Sequence, residues 1–261
     1  MFDLIDYIQT YLPMFLMIFF RLLAIIMTMP VFGYQTVSRV VRLMLAVVLT
    51  IVVFMVHPKV IIETGSLFEM SFLILREILI GMILGFGARL IFEGITMAGS
   101  FIGRQTGLAI ANIIDPTSQE QVPIISQFWL MLMIVYFFTV NGHQFLINIL
   151  MKNMSVIPIG GGHFSAALGQ TLVEGGSQAF IIAIQLAAPV IGLLLIVDTA
   201  LALVARVMPQ VNIFIVSLPL KLGVGIFGVI SSLNIFQMLY YSFFERLTIF
   251  MGSIIRGFSG S

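Results

Sequence analysis

Residues 121–151 contain no Asp, Glu, Lys or Arg, and neither do residues 175–197 or 222–244. A hydrocarbon core about 30 Å thick takes about 20 apolar residues of helix. Each of these runs is long enough to cross a bilayer. The 261-residue chain as a whole is poor in charge: 60% of residues are hydrophobic and 9% charged, against about 25% charged in a soluble domain. A water-facing surface needs charge, so a soluble enzyme and a disordered chain are both excluded. The net charge of +1 gives no field to hold phosphate, so no nucleic-acid partner is expected. The class is integral membrane, with lipid as an obligatory neighbour. There is no Cys, which removes disulfides, thiolate catalysis and Cys-ligated metals. Asp3 and Asp6 precede any basic residue, unlike a cleaved secretory signal.

Apolar segments fall at 12–31, 43–56, 67–111, 122–151, 179–204 and 213–250. Turn-like residues separate them, among them Gly33, Pro58, Asp115-Pro116, Pro158 to Gly162, and Pro209. The runs are too long for barrel strands and do not alternate with period two. The expected fold is all-α: about six long helical segments in one membrane domain spanning the chain.

Only half of these segments hold a charge-free run of membrane length. Arg21 sits inside the first. The second has 16 uncharged residues between Arg42 and Lys59, and the third carries Glu69, Arg76, Glu77, Arg89, Glu93 and Arg104. A charge at bilayer depth costs about 2.5–3.5 kcal/mol on insertion scales. These three segments are expected inside a protein assembly or outside the hydrocarbon. Basic loops give no orientation either. Arg39, Arg42, Arg104 and Arg206 on one side balance Lys59, Lys152, Arg246 and Arg256 on the other.

Several residues invite chemistry. Arg89 and Glu93 are spaced i, i+4, as in a local ion pair. Arg76 and Glu77 are adjacent and diverge around a helix, so they need partners elsewhere, whether another subunit or solvent. Arg21, Asp198 and Lys221 are isolated among apolar residues, which leaves a buried pair or a conduit lining. Gly81/Gly85 and Gly99/Gly103 are G-x-x-x-G pairs that let helices approach closely. The sequence Gly223-Val224-Gly225-Ile226-Phe227-Gly228 matches a dinucleotide fingerprint, but no β-α-β unit surrounds it, so helix packing is the reading. There is no zinc-protease motif, serine elbow or P-loop. No catalytic, metal or cofactor site is expected, and the chain is not read as an enzyme. Two polar breaks remain, at 107–123 and 209–219. Irregular backbone at membrane depth survives only inside protein or against water. Each break therefore lies either in solvent or along a conduit.

Order and spacing of motifs then point to a family. The chain carries Met29-Pro30-Val31-Phe32-Gly33, Val40-Val41-Arg42, Arg76-Glu77-Ile78-Leu79-Ile80-Gly81, and Gln105-Thr106-Gly107-Leu108. Asp115-Pro116, Asn141-Gly142-His143, Arg206-Val207-Met208-Pro209-Gln210-Val211-Asn212-Ile213-Phe214 and Pro219-Leu220-Lys221 follow. Together these resemble the FliR family of flagellar export-gate subunits, whose counterparts serve type III secretion injectisomes. Ser217-Leu218 departs from the family pattern.

The resemblance implies a subunit that joins FliP- and FliQ-type proteins in a helical, closed-ended assembly, with an FlhB-type protein attached. Unfolded flagellar substrates would leave the cytoplasm through it. The setting would be the bacterial inner membrane and the flagellar basal body, with part of the helical mass above the bilayer. It implies a plug loop over Gly107, Ala111, Asn112, Asp115, Pro116 and Pro123. Arg21, Arg76, Glu77, Arg89, Glu93, Asp198, Arg206 and Lys221 would hold subunits in register or line the path. A small-solute or ion transporter that uses intramembrane charges and a purely structural assembly scaffold are the competing readings.

Overall fold

The apolar runs fold as helices, and no strand occurs among the described residues. The structure is a computed structural model that describes residues 2–33, 37–58, 60–62, 66–107, 124–210 and 212–259. Its elements are α1 (Phe2–Thr28), α2 (Arg39–Val56), α3 (Leu67–Gln105), α4 (Ile124–Thr139), α5 (Gly142–Val156), α6 (Ala166–Val207) and α7 (Ile213–Ser259).

The run at 122–151 is two helices, not one. Asn141 adopts a left-handed conformation with φ 59°, and the axes of α4 and α5 differ by 73°. Asn tolerates that region because its short side chain bonds locally, and the Gly142 that follows adds no Cβ. Elsewhere helices outrun the apolar segments. α6 starts at Ala166 and α7 continues to Ser259, because a charge on an exposed face does not end a helix. α3 stops at Gln105, short of the expected 111. Gly107 there takes φ 81°, and its N–H bonds to the Arg104 carbonyl at 3.2 Å, a left-handed cap.

Four helical stretches are long and apolar enough to cross a membrane: Thr10–Thr28, Arg39–Val56, Ala166–Val207 and Ile215–Leu239. The bent α4–α5 pair makes five if it counts as one span. The first two were expected to fail. α1 qualifies on length and composition, and Arg21, the one charge in that stretch, is fully buried. α2 qualifies on the same ground, and its two cations, Arg39 and Arg42, sit in its first turn, where long side chains reach the interface. A Ser38 hydroxyl caps that end, accepting from the Val41 N–H at 3.3 Å.

The residues group into two compact units. One comprises Met1–Leu90, Phe138–Gly175 and Thr248–Ser261, the other Ile91–Phe137 and Gly176–Leu247. In the first unit α2 lies on α1 through Ala46, Thr50 and Val53, with Phe15 and Phe54 edge to face at 5.7 Å. α1 ends in a tight turn, where Gly33 N–H reaches the Met29 carbonyl at 2.9 Å. Val31 takes φ 70° in that turn, a conformation that costs a β-branched residue about 1–3 kcal/mol. In the second unit Phe92 meets Phe137 and Phe243 edge to face, at 5.9 and 5.3 Å. Trp129 packs against Phe236 at 5.0 Å.

Glycines on α3 set how near other helices come. In the first unit, a Cβ at Gly81 would lie 2.4 Å from the Arg21 carbonyl oxygen, and one at Gly85 would lie 1.9 Å from the Thr28 hydroxyl. In the second, Gly94 abuts the Ala179 backbone and Gly99 the Ser126 backbone. Gly103 is buried, and its carbonyl accepts the Thr106 hydroxyl at 3.0 Å. On α6, by contrast, a Cβ at Gly192 would meet nothing within 4 Å. Gly81→Ala and Gly99→Ala are therefore each expected to destabilise the chain by about 1–3 kcal/mol, because the neighbour is backbone that must shift. Gly192→Ala is expected to stabilise it by about 0.5–1 kcal/mol. Thermal unfolding of the three purified variants in detergent checks the opposite signs.

Candidate functional site: two polar clusters among apolar helices

The first cluster lies in the unit containing α1, α2 and α5. Arg21 is on α1, and its own carbonyl makes the close approach to Gly81. Both Arg21 and Glu77 are fully buried, and Arg21 Nε pairs with a Glu77 carboxylate oxygen. The rest of the guanidinium reaches the chain after α5. Nη1 donates to the Ile157 carbonyl at 2.8 Å and to Asn153 Oδ1 at 3.4 Å, and Nη2 donates to the Pro158 carbonyl at 3.3 Å. Glu77 Oε1 accepts the Gly160 N–H at 2.8 Å. Gly160 has φ 76°, a conformation that suits glycine.

Arg76 points to the same loop from the other side. It donates to the Gly160 carbonyl at 3.1 Å and to the Gly162 carbonyl. Adjacent residues of α3 thus diverge as expected, but both find partners within this chain. Glu77 neutralises Arg21. Among the described residues no carboxylate pairs with Arg76.

Such a buried pair is stable only if its remaining donors and acceptors are matched. Here the loop carbonyls and one loop N–H do that. The cluster joins α1, α3 and the 157–162 loop, three stretches far apart in sequence. Asn153 and the loop carry no charge, so sequence reading missed their part. The signal available was the run Gly160-Gly161-Gly162.

The second cluster lies in the other unit. Lys221 on α7 pairs with Asp198 on α6, and Gln105 Nε2 at the end of α3 donates to Asp198 Oδ2 at 3.0 Å. The side chains of Lys221 and Asp198 are 23% and 32% exposed, so solvent screens this pair. Beside it Thr106 is buried. A Cβ at Gly225 would press on the Thr106 methyl and one at Gly228 on Val190, whereas one at Gly223 would meet nothing within 4 Å, so the second and third fingerprint-like glycines serve packing. Where the chain re-enters at α4, the Ser126 hydroxyl donates to the Thr96 carbonyl at 3.0 Å and meets the Ser100 hydroxyl at 3.1 Å. Both flanks of residues 108–123 are therefore tied to α3. Ala111, Asn112, Asp115, Pro116 and Pro123 lie outside the described residues.

The other expected charges are dispersed. Arg89 and Glu93 are four apart on α3, the first exposed and the second half-buried. Arg206 is exposed in the last turn of α6, where a cation complements the helix dipole. Arg246 was not singled out from sequence. It donates to Gln178 Oε1 at 2.9 Å and borders a cavity lined by Ile95, Met133, Leu186 and Phe236. Among the described residues no three His, Asp or Glu side chains come together to hold a metal.

Residues 12–247 match the profile of a family described as "Bacterial export proteins, family 1". The chain is 36% identical over 206 residues to the flagellar biosynthetic protein FliR of Escherichia coli K12, covering 79% of this chain and 78% of that protein. It belongs to the FliR family. The FliR of Pectobacterium carotovorum is 36% identical over 210 residues, 80% of this chain and 79% of its own length. That of Bacillus subtilis is 33% identical over 232 residues, 85% and 87% respectively.

The two clusters should differ sharply in cost when broken. Glu77→Ala leaves Arg21 buried and unpaired, an expected loss of about 3–5 kcal/mol. Asp198→Ala, at a screened pair, should cost no more than about 1 kcal/mol. The double change Arg21→Met with Glu77→Leu should recover most of the first loss, because an apolar pair needs no neutralisation. Unfolding midpoints of the purified variants test this order.

Proposed function

We propose that this chain is a subunit of the flagellar type III protein-export gate in the bacterial inner membrane. The observation that carries the reading is the family match over residues 12–247, joined to relatives whose names are those of flagellar biosynthetic proteins. In this reading the chain assembles with FliP- and FliQ-type subunits, and an FlhB-type protein associates with the assembly. Unfolded flagellar proteins leave the cytoplasm through the conduit so formed, in the basal body. Part of the helical mass stands above the bilayer, consistent with the charges along α3.

The segment at 107–123 closes the lumen at rest and moves aside for substrate. Its support is the geometry of its flanks. Thr106 and Gln105 tie one end to α3, α6 and α7, and Ser126 ties the other to α3. A gate element needs fixed ends, since an unanchored segment spends its contacts on ordering entropy. Asp198, Lys221 and Gln105 hold the root. Arg76, Arg89, Glu93 and Arg206 face partners or the path.

Shortening the 107–123 segment is expected to raise ion leak through the assembled complex with export stopped. Unchanged leak would remove the plug role. Co-expression with FliP- and FliQ-type subunits, followed by mass measurement, is expected to give one hetero-oligomer. A solute transporter would instead take up solute when the purified chain alone is placed in liposomes. A scaffold would assemble normally, yet a stalled export substrate would not crosslink to 107–123.

A further inference from the structure

One line of large apolar side chains runs along the outer side of α3: Phe68, Phe72, Leu75, Leu79, Met82 and Phe86. Their spacings of four and three keep them on a single helix face. All are exposed, from 38% at Met82 to 81% at Phe68. The line is about 27 Å long at 1.5 Å per residue. An apolar patch of that extent marks an interaction surface or lipid.

Arg76 decides between them. It sits near the middle of the line and borders an open cleft of about 420 Å³ with Phe72, Leu75, Leu79 and His163. Among the described residues no Asp or Glu lines that cleft. Arg76 donates to two loop carbonyls, and among the described residues no carboxylate neutralises it, because Glu77 is taken by Arg21 and Gly160. If acyl chains covered the line, an uncompensated guanidinium would open onto the middle of the hydrocarbon. That costs about 2.5–3.5 kcal/mol on insertion scales. α3 is also not among the helices apolar enough to cross a membrane. A protein surface carrying one carboxylate between apolar side chains satisfies both the line and the cation.

We propose that the Phe68-to-Phe86 line and the Arg76 cleft receive an apolar helix of another protein chain, bearing an Asp or Glu opposite Arg76. The proposal rests on the reading that the chain works inside an assembly. It assigns Arg76 to that contact, while Glu77 stays internal.

A photo-crosslinking phenylalanine analogue placed at Phe72 or at Leu79, in cells carrying the whole export apparatus, tests it. Both positions are expected to give a protein adduct of the same added mass. Arg76→Glu and, separately, Leu75→Glu should lower the Leu79 adduct at least tenfold, while Arg76→Lys should keep most of it. Leu75→Glu leaves the loop hydrogen bonds intact, so its effect does not depend on the 157–162 loop staying folded. Changing an Asp or Glu at the crosslinked site of the other chain to Lys should restore the adduct of the Arg76→Glu variant. Lipid adducts alone, no adduct, an adduct with a second copy of this chain, or an adduct indifferent to both glutamate substitutions each overturns the proposal. An adduct that obeys these dependences but joins a protein outside the export apparatus upholds the docking surface and overturns the export reading. An assembled export complex without the adduct does the reverse.

Discussion

A guanidinium without water must find a carboxylate and enough acceptors, and Arg21 finds both in one place. Its Nε pairs with Glu77, and three hydrogen bonds from the remaining nitrogens go to the carbonyls of residues 157 and 158 and to the Asn153 amide oxygen. Neither group is stable there alone, since breaking a buried pair costs about 3–5 kcal/mol. The consequence is positional. α1 cannot rotate against α3 without exposing a charge to apolar side chains, and the loop after α5 cannot lift without stripping two acceptors. The close approach at Gly81 makes this possible: its missing Cβ lets the Arg21 backbone come within contact distance of α3.

The same pair explains why a charge count misjudges α1. Counted along the sequence, Arg21 interrupts an apolar run. Counted by what a helix presents outward, it disappears, because it is neutralised inside. Sequence distance hides such compensation: Arg21 and Glu77 are 56 residues apart and Arg21 and Ile157 are 136 apart. A reading limited to local windows sees two isolated charges. Helix existence, by contrast, was legible, because apolar runs flanked by Gly, Pro and Asn impose it locally. The break at Asn141 was not foreseen within an otherwise apolar run. One Asn-Gly step is a weak punctuator until its φ is known. The reach of α6 back to Ala166 was hidden for the opposite reason, since Glu174 looks like a boundary but is only an exposed face.

The candidate site divides along the same line. Arg76 and Glu77 were expected to find partners elsewhere, in another subunit or in solvent. The structure gives Glu77 a complete internal set and leaves Arg76 with carbonyls only. Asp198 and Lys221 looked isolated because they lie on different helices, 23 positions apart in sequence, with a turn at Pro209 between them. Their pairing with each other, and with Gln105, required the helix hairpin to be known. Of the positions expected to form the plug, Gly107 alone lies among the described residues, and there it caps the end of α3 with φ 81°.

Burial separates what these clusters can do. A pair shut away completely, with every partner matched, is worth several kcal/mol to keep and has no low-cost alternative state. A pair 23% and 32% exposed exchanges protein partners for water at a cost of about 1 kcal/mol or less. Gln105 is bonded to the second kind, at the last turn of α3. Its hydrogen bond to Asp198 can be traded for water at little cost, whereas the bonds that Arg21 makes to the 157–158 carbonyls cannot. The end of α3 at Thr106 and Gly107 is therefore held by packing against Gly225 more than by charge. An interaction that displaces Thr106 would release that end with only a screened ion pair and one hydrogen bond to replace. The Arg21 cluster would keep the start of the same helix in place throughout, because its own partners lie within the unit that contains residues 67–90.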